Sequence, residues 1–324
     1  MNDETAWVFP SSARASSDPR VRAALGPLAT VADDLSVTDV FVTCDGRVFA
    51  DHGSGALQVA GLRLGGSESV ELARRLIEEG GRHLDEASPV VDVRLTEGIR
   101  VHAVLPPVAV GGASLSIRFS RQAMVGIDDL NLAWTPTDRD RVLSGIDSRQ
   151  TLLISGSTGS GKTTLLGALL SRASPRDRLV VLEDVSEIII DHPHVIQLEC
   201  RQPNLEGAGE VTLSRLVRES LRMRPTRLVV GECRGAEFRD LLSAFTSGHK
   251  GGATTIHAHS LAELPARLEA LGVLADLTPD QVGRQIASAF DLVIHLDHDS
   301  HGDRAVTLGR CHVGKDGRIA VSED

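Results

Sequence analysis

Tyrosine is missing from all 324 residues, and only two tryptophans and seven phenylalanines supply aromatic surface. Platforms on which bases stack are therefore scarce, and a formal net charge of −10 repels nucleic-acid phosphate. Direct nucleic-acid binding is disfavoured on both counts. Cys44, Cys200, Cys233 and Cys311 lie far apart, with no C-x-x-C spacing. They read as reduced, mostly buried thiols, which argues against a thiolate metal site. Nowhere do the roughly 18 apolar residues of a membrane span run together, and Asp3 and Glu4 stand where a leader would need an apolar start. A cytoplasmic protein is expected. Lysine is nearly absent, and Lys162 is one of only three.

Lys162 belongs to the most informative segment of the chain. Gly156-Ser157-Thr158-Gly159-Ser160-Gly161-Lys162-Thr163-Thr164 fits G-x-x-x-x-G-K-[ST], preceded by the apolar run Leu152-Leu153-Ile154 and followed by Leu165, Leu166, Leu169 and Leu170. A strand, a glycine-rich turn and a helix in that order form a phosphate-binding loop. Its glycines let backbone N–H groups surround a polyphosphate, and the helix N-terminus adds a favourable dipole. In such a loop Lys162 reaches the β- and γ-phosphates of ATP, and the Thr163 hydroxyl holds Mg²⁺.

Around this motif the chain reads as two parts. Residues 1–36 form a lead-in with one short helix near 20–34. Residues 37–121 form a small α+β domain. It comprises a hairpin from Val40-Phe41-Val42 and Val48-Phe49, a helix over 68–79, and strands near 90–95, 99–105 and 115–119. A connector is expected over 122–136. From 137 to 324, strands near 151–155, 178–183, 195–199, 227–231, 252–257, 291–296 and 305–313 alternate with helices. That alternation implies an α/β domain with a largely parallel sheet.

Ligands of such sheets gather at the carboxyl ends of strands. One strand ends in Glu183-Asp184, which makes Glu183 the candidate to orient and deprotonate a water; a solvated acidic cluster is the alternative. Another ends in Gly231-Glu232, where a carboxylate can hold a Mg²⁺-bound water together with Thr163, and Arg234 lies just beyond. His249 and His257 bracket a glycine-rich stretch, and each is either a phosphate contact or a satisfied structural histidine. Zinc is disfavoured for want of suitably spaced ligands. Arg215, Arg218 and Arg222 form a stripe on one helix, either a solvated face or an oligomer contact. Arg100 and Arg118 sit on strands of the small domain, from where they can neutralise phosphate charge.

The combination of Gly156–Thr164, Leu182-Glu183-Asp184-Val185-Ser186-Glu187, Arg201–Thr212, Leu221-Arg222-Met223-Arg224-Pro225, Val230–Glu237 and Gly248–Ala258 resembles the type II/IV secretion system ATPases. Within that superfamily the chain is similar to the CpaF/TadA branch, the tight-adherence pilus assembly motors. Asp92-Val93-Arg94-Leu95, Gly98-Ile99-Arg100 and Leu115-Ser116-Ile117-Arg118 extend the likeness into the small domain. The resemblance implies a homo-hexamer in which a RecA-like P-loop ATPase domain follows a small α+β domain, with ATP and Mg²⁺ as cofactors. It further implies integral inner-membrane platform proteins as partners and a position at the inner face of the cell membrane. It makes Glu183 the catalytic carboxylate, Glu232 the Walker B acid, His249 and His257 the histidine box, and Arg100 and Arg118 phosphate-proximal arginines. A DNA-export ATPase shares all these motifs, and a nucleotide-sensing subunit with little turnover is the third reading. One departure concerns Gly252, which stands where the family often has serine.

Overall fold

The computed structural model describes residues 18–53, 55–95, 98–119, 125–201, 203, 208–298 and 304–324. The chain divides into two compact units, residues 1–123 and 124–324. In the first, β1 (Asp39–Val42), β2 (Arg47–Asp51), β3 (Ala56–Arg63), β4 (Val90–Arg94), β5 (Ile99–Val104) and β6 (Ser114–Phe119) make an antiparallel sheet in the order β3-β2-β1-β6-β5-β4. Period-2 alternation sends Val40, Val42, Val91, Val93, Val101, Leu115 and Ile117 to one buried face. Helix α1 (Pro19–Leu25), α2 (Ala29–Ala32) and α3 (Gly66–Glu79) share that core, α3 contributing Leu72, Ala73, Leu76 and Ile77.

Two expectations change here. The helix foreseen over 20–34 is broken at Gly26-Pro27 into α1, a short 3₁₀ turn and α2, because proline supplies no amide for a continuing helix. Nor are residues 1–36 wholly a lead-in. Val21, Leu25, Leu28 and Ala32 are fully buried in the small unit's core, so the hydrophobic effect ties this segment to the sheet.

The second unit carries a sheet ordered β10-β9-β11-β12-β8-β13-β14-β15. Its strands are β7 (Leu132–Ala133), β8 (Leu152–Gly156), β9 (Leu179–Glu183), β10 (Val195–Glu199), β11 (Arg227–Val230), β12 (Ala253–His257), β13 (Leu292–His298), β14 (Arg304–Val313) and β15 (Ile319–Glu323). Pairing is parallel from β10 through β13 and antiparallel from β13 to β15, while β7 joins β14. The strands β8, β9 and β11 are buried along their whole length, as parallel strands covered on both faces must be. Helices α4 (Pro136–Asp147) and α5 (Lys162–Ser171) cover one face; α6 (Leu213–Ser220), α7 (Glu237–Thr246), α8 (Leu264–Leu274) and α9 (Pro279–Ala289) cover the other. Local chemistry starts several of them. Thr135, Thr212 and Thr278 cap α4, α6 and α9, with proline at the first position of α4 and α9.

The connector expected over 122–136 is not a free linker either. Leu130 is 2% exposed in the second core, and β7 is hydrogen-bonded into the large sheet; residues 120–124 lie outside the described ones. Gly252 has a physical reason to be glycine in this chain. A Cβ there would lie 2.3 Å from the Phe245 ring and 2.5 Å from the Leu228 carbonyl oxygen. Gly252→Ser should therefore cost about 2 kcal/mol of stability, read as a lowered urea midpoint; an unchanged midpoint would show that Phe245 yields freely.

Candidate active site

Parallel pairing brings four carboxyl-terminal strand ends together. His257 is in register with Gly156, Glu183 closes β9, and Gly231-Glu232 follow β11 between β9 and β12. The packing there is close. A Cβ on Gly231 would meet the Glu183 Cγ at 2.8 Å, so only glycine leaves room for that carboxylate. The Thr255 hydroxyl donates to the Gly231 carbonyl at 2.7 Å, locking β11's exit to β12.

The phosphate loop runs from Gly156 to Thr164, its last residues already in the first turn of α5. Gly159 and Gly161 take φ of +79° and +93°, which glycine adopts at no steric cost. Lys162 folds back over the loop, its ammonium donating to the carbonyls of Gly156 at 3.0 Å and Ser157 at 2.6 Å. Burial lowers its pKa, while Glu232 pulls the other way. Ser160 is fully buried, and Thr163 is half-buried at the start of α5. Above the loop the Thr158 hydroxyl and His257 Nδ1 are 3.4 Å apart. The His257 pKa is lowered by burial first and then by Lys162.

Glu183 is buried against its preference for charge. Only 4% exposed, it accepts the N–H groups of Glu187 and Ile188 on Oε1 at 2.9 and 3.0 Å. Its Oε2 is buried and, among the described residues, has no partner. Burial pushes the carboxyl up to about 7 despite those two amides. Glu232 is more open and ion-paired with Arg234, whose backbone N–H is held with that of Gly235 by the Glu237 carboxylate at 2.6 and 2.7 Å.

A divalent cation fits this set. No cluster of three or more His, Cys, Asp or Glu side chains suited to a metal occurs among the described residues. The Thr163 hydroxyl and the open Glu232 carboxylate instead suit an ion that keeps several waters.

Within the second unit, not every expected residue joins the site. His249 lies before β12, at the opposite end of the strand from His257, and five extended residues put roughly 13 Å between those ends. Within this unit it is not brought to the loop. Arg100 and Arg118 belong to the first unit. They face each other across β5 and β6, in line with Arg94 on β4, and Arg100 lies 3.4 Å from Asp92. Arg218 on α6 is paired with Asp240, and Arg222, in the 3₁₀ turn Leu221–Met223 that follows, is paired with Glu219, so part of that stripe is internally compensated. Sequence reading missed two arginines. A Cβ on Gly161 would lie 3.3 Å from the Arg304 guanidinium, and Arg267 on α8 is close enough to His257 to depress its pKa. No local motif marks either; Arg304 comes from a distant chain position, whereas Arg267 follows His257 closely in sequence.

A profile of the type II/IV secretion system protein family matches residues 25–323. The chain belongs to that family. A Mycobacterium tuberculosis (strain CDC 1551 / Oshkosh) protein named for conjugal transfer is 45% identical over 276 residues, 82% of this chain and 78% of its own length. The conjugal transfer protein TrbB of Rhizobium radiobacter is 33% identical over 289 residues, 86% of this chain and 84% of its own. Among solved structures, the ATPase DotB of Legionella pneumophila superposes with a TM-score of 0.61 at 20% identity, covering 92% of this chain and 82% of DotB. The pilus retraction motor PilT with bound ADP gives 0.61 at 18%, covering 87% and 80%. These two likenesses bear on the fold alone, and the expected RecA-like unit with a largely parallel sheet is the one observed.

The titration of Glu183 gives a test of the site. Between the ordinary carboxyl value of 4.5 and about 7 the folded chain holds a proton that the unfolded chain has released. Stability is therefore fullest below about 4.5, falls as pH rises towards 7, and stays reduced above. That gap corresponds to on the order of 3 kcal/mol at most. Glu183→Gln, which carries no charge, should match or exceed the parent in urea unfolding at pH 8, with the difference closing by pH 5. A variant clearly weaker at pH 8 would contradict the assignment.

Proposed function

We propose that the second unit is a Mg²⁺-dependent ATPase whose turnover drives a type II/IV secretion apparatus. The observation that carries this reading is the buried Glu183 carboxylate, with one oxygen fixed by backbone and the other bare, beside a phosphate loop whose lysine is already desolvated. Lys162, which rests on loop carbonyls, has only to turn outward to meet the β- and γ-phosphates. The amides of Ser157 to Thr164 and the N-terminus of α5 surround the polyphosphate. Glu183, once ionised, accepts the proton of an attacking water through Oε2 and orients it towards the γ-phosphorus. Thr163 and, through water, Glu232 would hold Mg²⁺, which would supply neutralisation of phosphate charge. To take up that role Glu232 exchanges its pairing with Arg234, and His257 is positioned to register the terminal phosphate through Thr158.

Arg100 and Arg118 complete the charge neutralisation in this reading, in a homo-hexameric ring whose membrane contact runs through integral inner-membrane platform proteins. Among the described residues no helix is long and apolar enough to cross a membrane. The tight-adherence pilus is the apparatus this reading favours, because the net charge of −10 disfavours a DNA cargo. Export of DNA in a conjugation-like system is the second reading, supported by the names of the relatives at 45% and 33% identity. DNA-stimulated phosphate release would select it, and indifference to DNA would select the pilus.

Steady-state phosphate release tests the chemistry. Lys162→Ala should abolish turnover, and Glu183→Gln should retain ATP binding while lowering kcat by roughly 10²–10⁴. Undiminished kcat in the Glu183 variant would remove it from catalysis. Arg118→Ala should lose most activity with an unchanged melting temperature; normal rates would assign it to the fold of the small unit.

A further inference from the structure

Ser155 and His295 take no part in the chemistry above, yet they are 0% and 3% exposed. Ser155 immediately precedes the phosphate loop on β8, and His295 faces it in register on β13. The Ser155 hydroxyl and His295 Nδ1 share a hydrogen bond of 2.9 Å. The other ring nitrogen, Nε2, is buried and has no hydrogen-bond partner among the described residues. In sequence both residues directly follow core residues, Leu153-Ile154 before Ser155 and Val293-Ile294 before His295, and Leu296 comes next. An apolar pair would fill the place more stably than a serine and a histidine with an unsatisfied nitrogen, so core packing does not account for this choice.

The next rung of the same ladder bears on the loop directly. Leu296 is in register with Gly156, and a Cβ on Gly156 would stand 2.4 Å from the Leu296 carbonyl oxygen. The Gly156 carbonyl also accepts the Lys162 ammonium. Two consecutive rungs of β13 thus hold the root of the loop, one by side-chain hydrogen bond and one by backbone contact.

We propose that His295 is a positioning residue for nucleotide binding: by holding the Ser155 hydroxyl it fixes the backbone from which the phosphate loop springs, so that the loop amides are arranged before the polyphosphate arrives. His295 touches no phosphate and acts only through Ser155. This rests on the phosphate-loop reading given above and assigns to it a residue outside every motif of the loop.

Isothermal titration of the full chain with Mg-ADP tests it. His295→Leu and Ser155→Ala should each weaken ADP binding about fivefold, the effect of one neutral hydrogen bond. The double variant should bind no more weakly than either single one, because both remove the same bond. His295→Asn, whose side-chain amide ends where Nδ1 sits, should restore the parent's affinity. Unchanged affinity in both single variants overturns the proposal, even if their melting temperatures fall, and so does full additivity. Should His295→Leu fail to fold, Ser155→Ala and His295→Asn decide the matter alone. A parent chain that binds no Mg-ADP would instead defeat the phosphate-loop reading, and the proposal with it.

Discussion

A carboxylate held where it does not want to be charged is the constraint around which the second unit is organised. Glu183 sits at the buried end of β9 against Gly231, and its pKa is raised to about 7 because burial outweighs two backbone amides. Such a group weakens the folded chain at neutral pH, whereas a buried glutamine or leucine would not. In the proposed function this group is the base, and a pKa near the working pH suits that task.

The remaining features serve that juxtaposition. Fully buried parallel strands give β8, β9, β11 and β12 a common register, which delivers Gly156, Glu183, Glu232 and His257 to one edge. In the described chain the cations and acids of the site are occupied with one another or with the backbone: Lys162 on loop carbonyls, Glu232 on Arg234. Each of these contacts is one that a triphosphate and its cation would replace.

Much of this was legible in the residues, and for a definite reason. Glycine spacing and apolar runs report local geometry, and in a parallel sheet local geometry fixes which ends meet, so Lys162, Thr163, Glu183, Glu232 and His257 could be placed from sequence. Long-range contacts left no such trace. Arg304 beside Gly161 and His295 under Ser155 each join chain segments more than a hundred residues apart, without a motif. His249 looked equivalent to His257 because the glycine-rich stretch is short in sequence, yet a strand between them carries them to opposite ends of the sheet. In the small unit, β3 was missed because its residues are mostly exposed and lack alternation, and the burial of Val21 to Ala32 was hidden by the proline and serine around them.

The proposed chemistry depends most on what Glu183 and Lys162 face when nucleotide is bound. A structure of the Glu183→Gln chain with Mg-ATP measures this directly. It should show the Lys162 ammonium withdrawn from the Gly156 and Ser157 carbonyls onto the β- and γ-phosphates, with residue 183 within hydrogen-bond reach of a water in line with the γ-phosphorus. A triphosphate bound elsewhere, or one seated in the loop with residue 183 turned away behind Gly231, would contradict it.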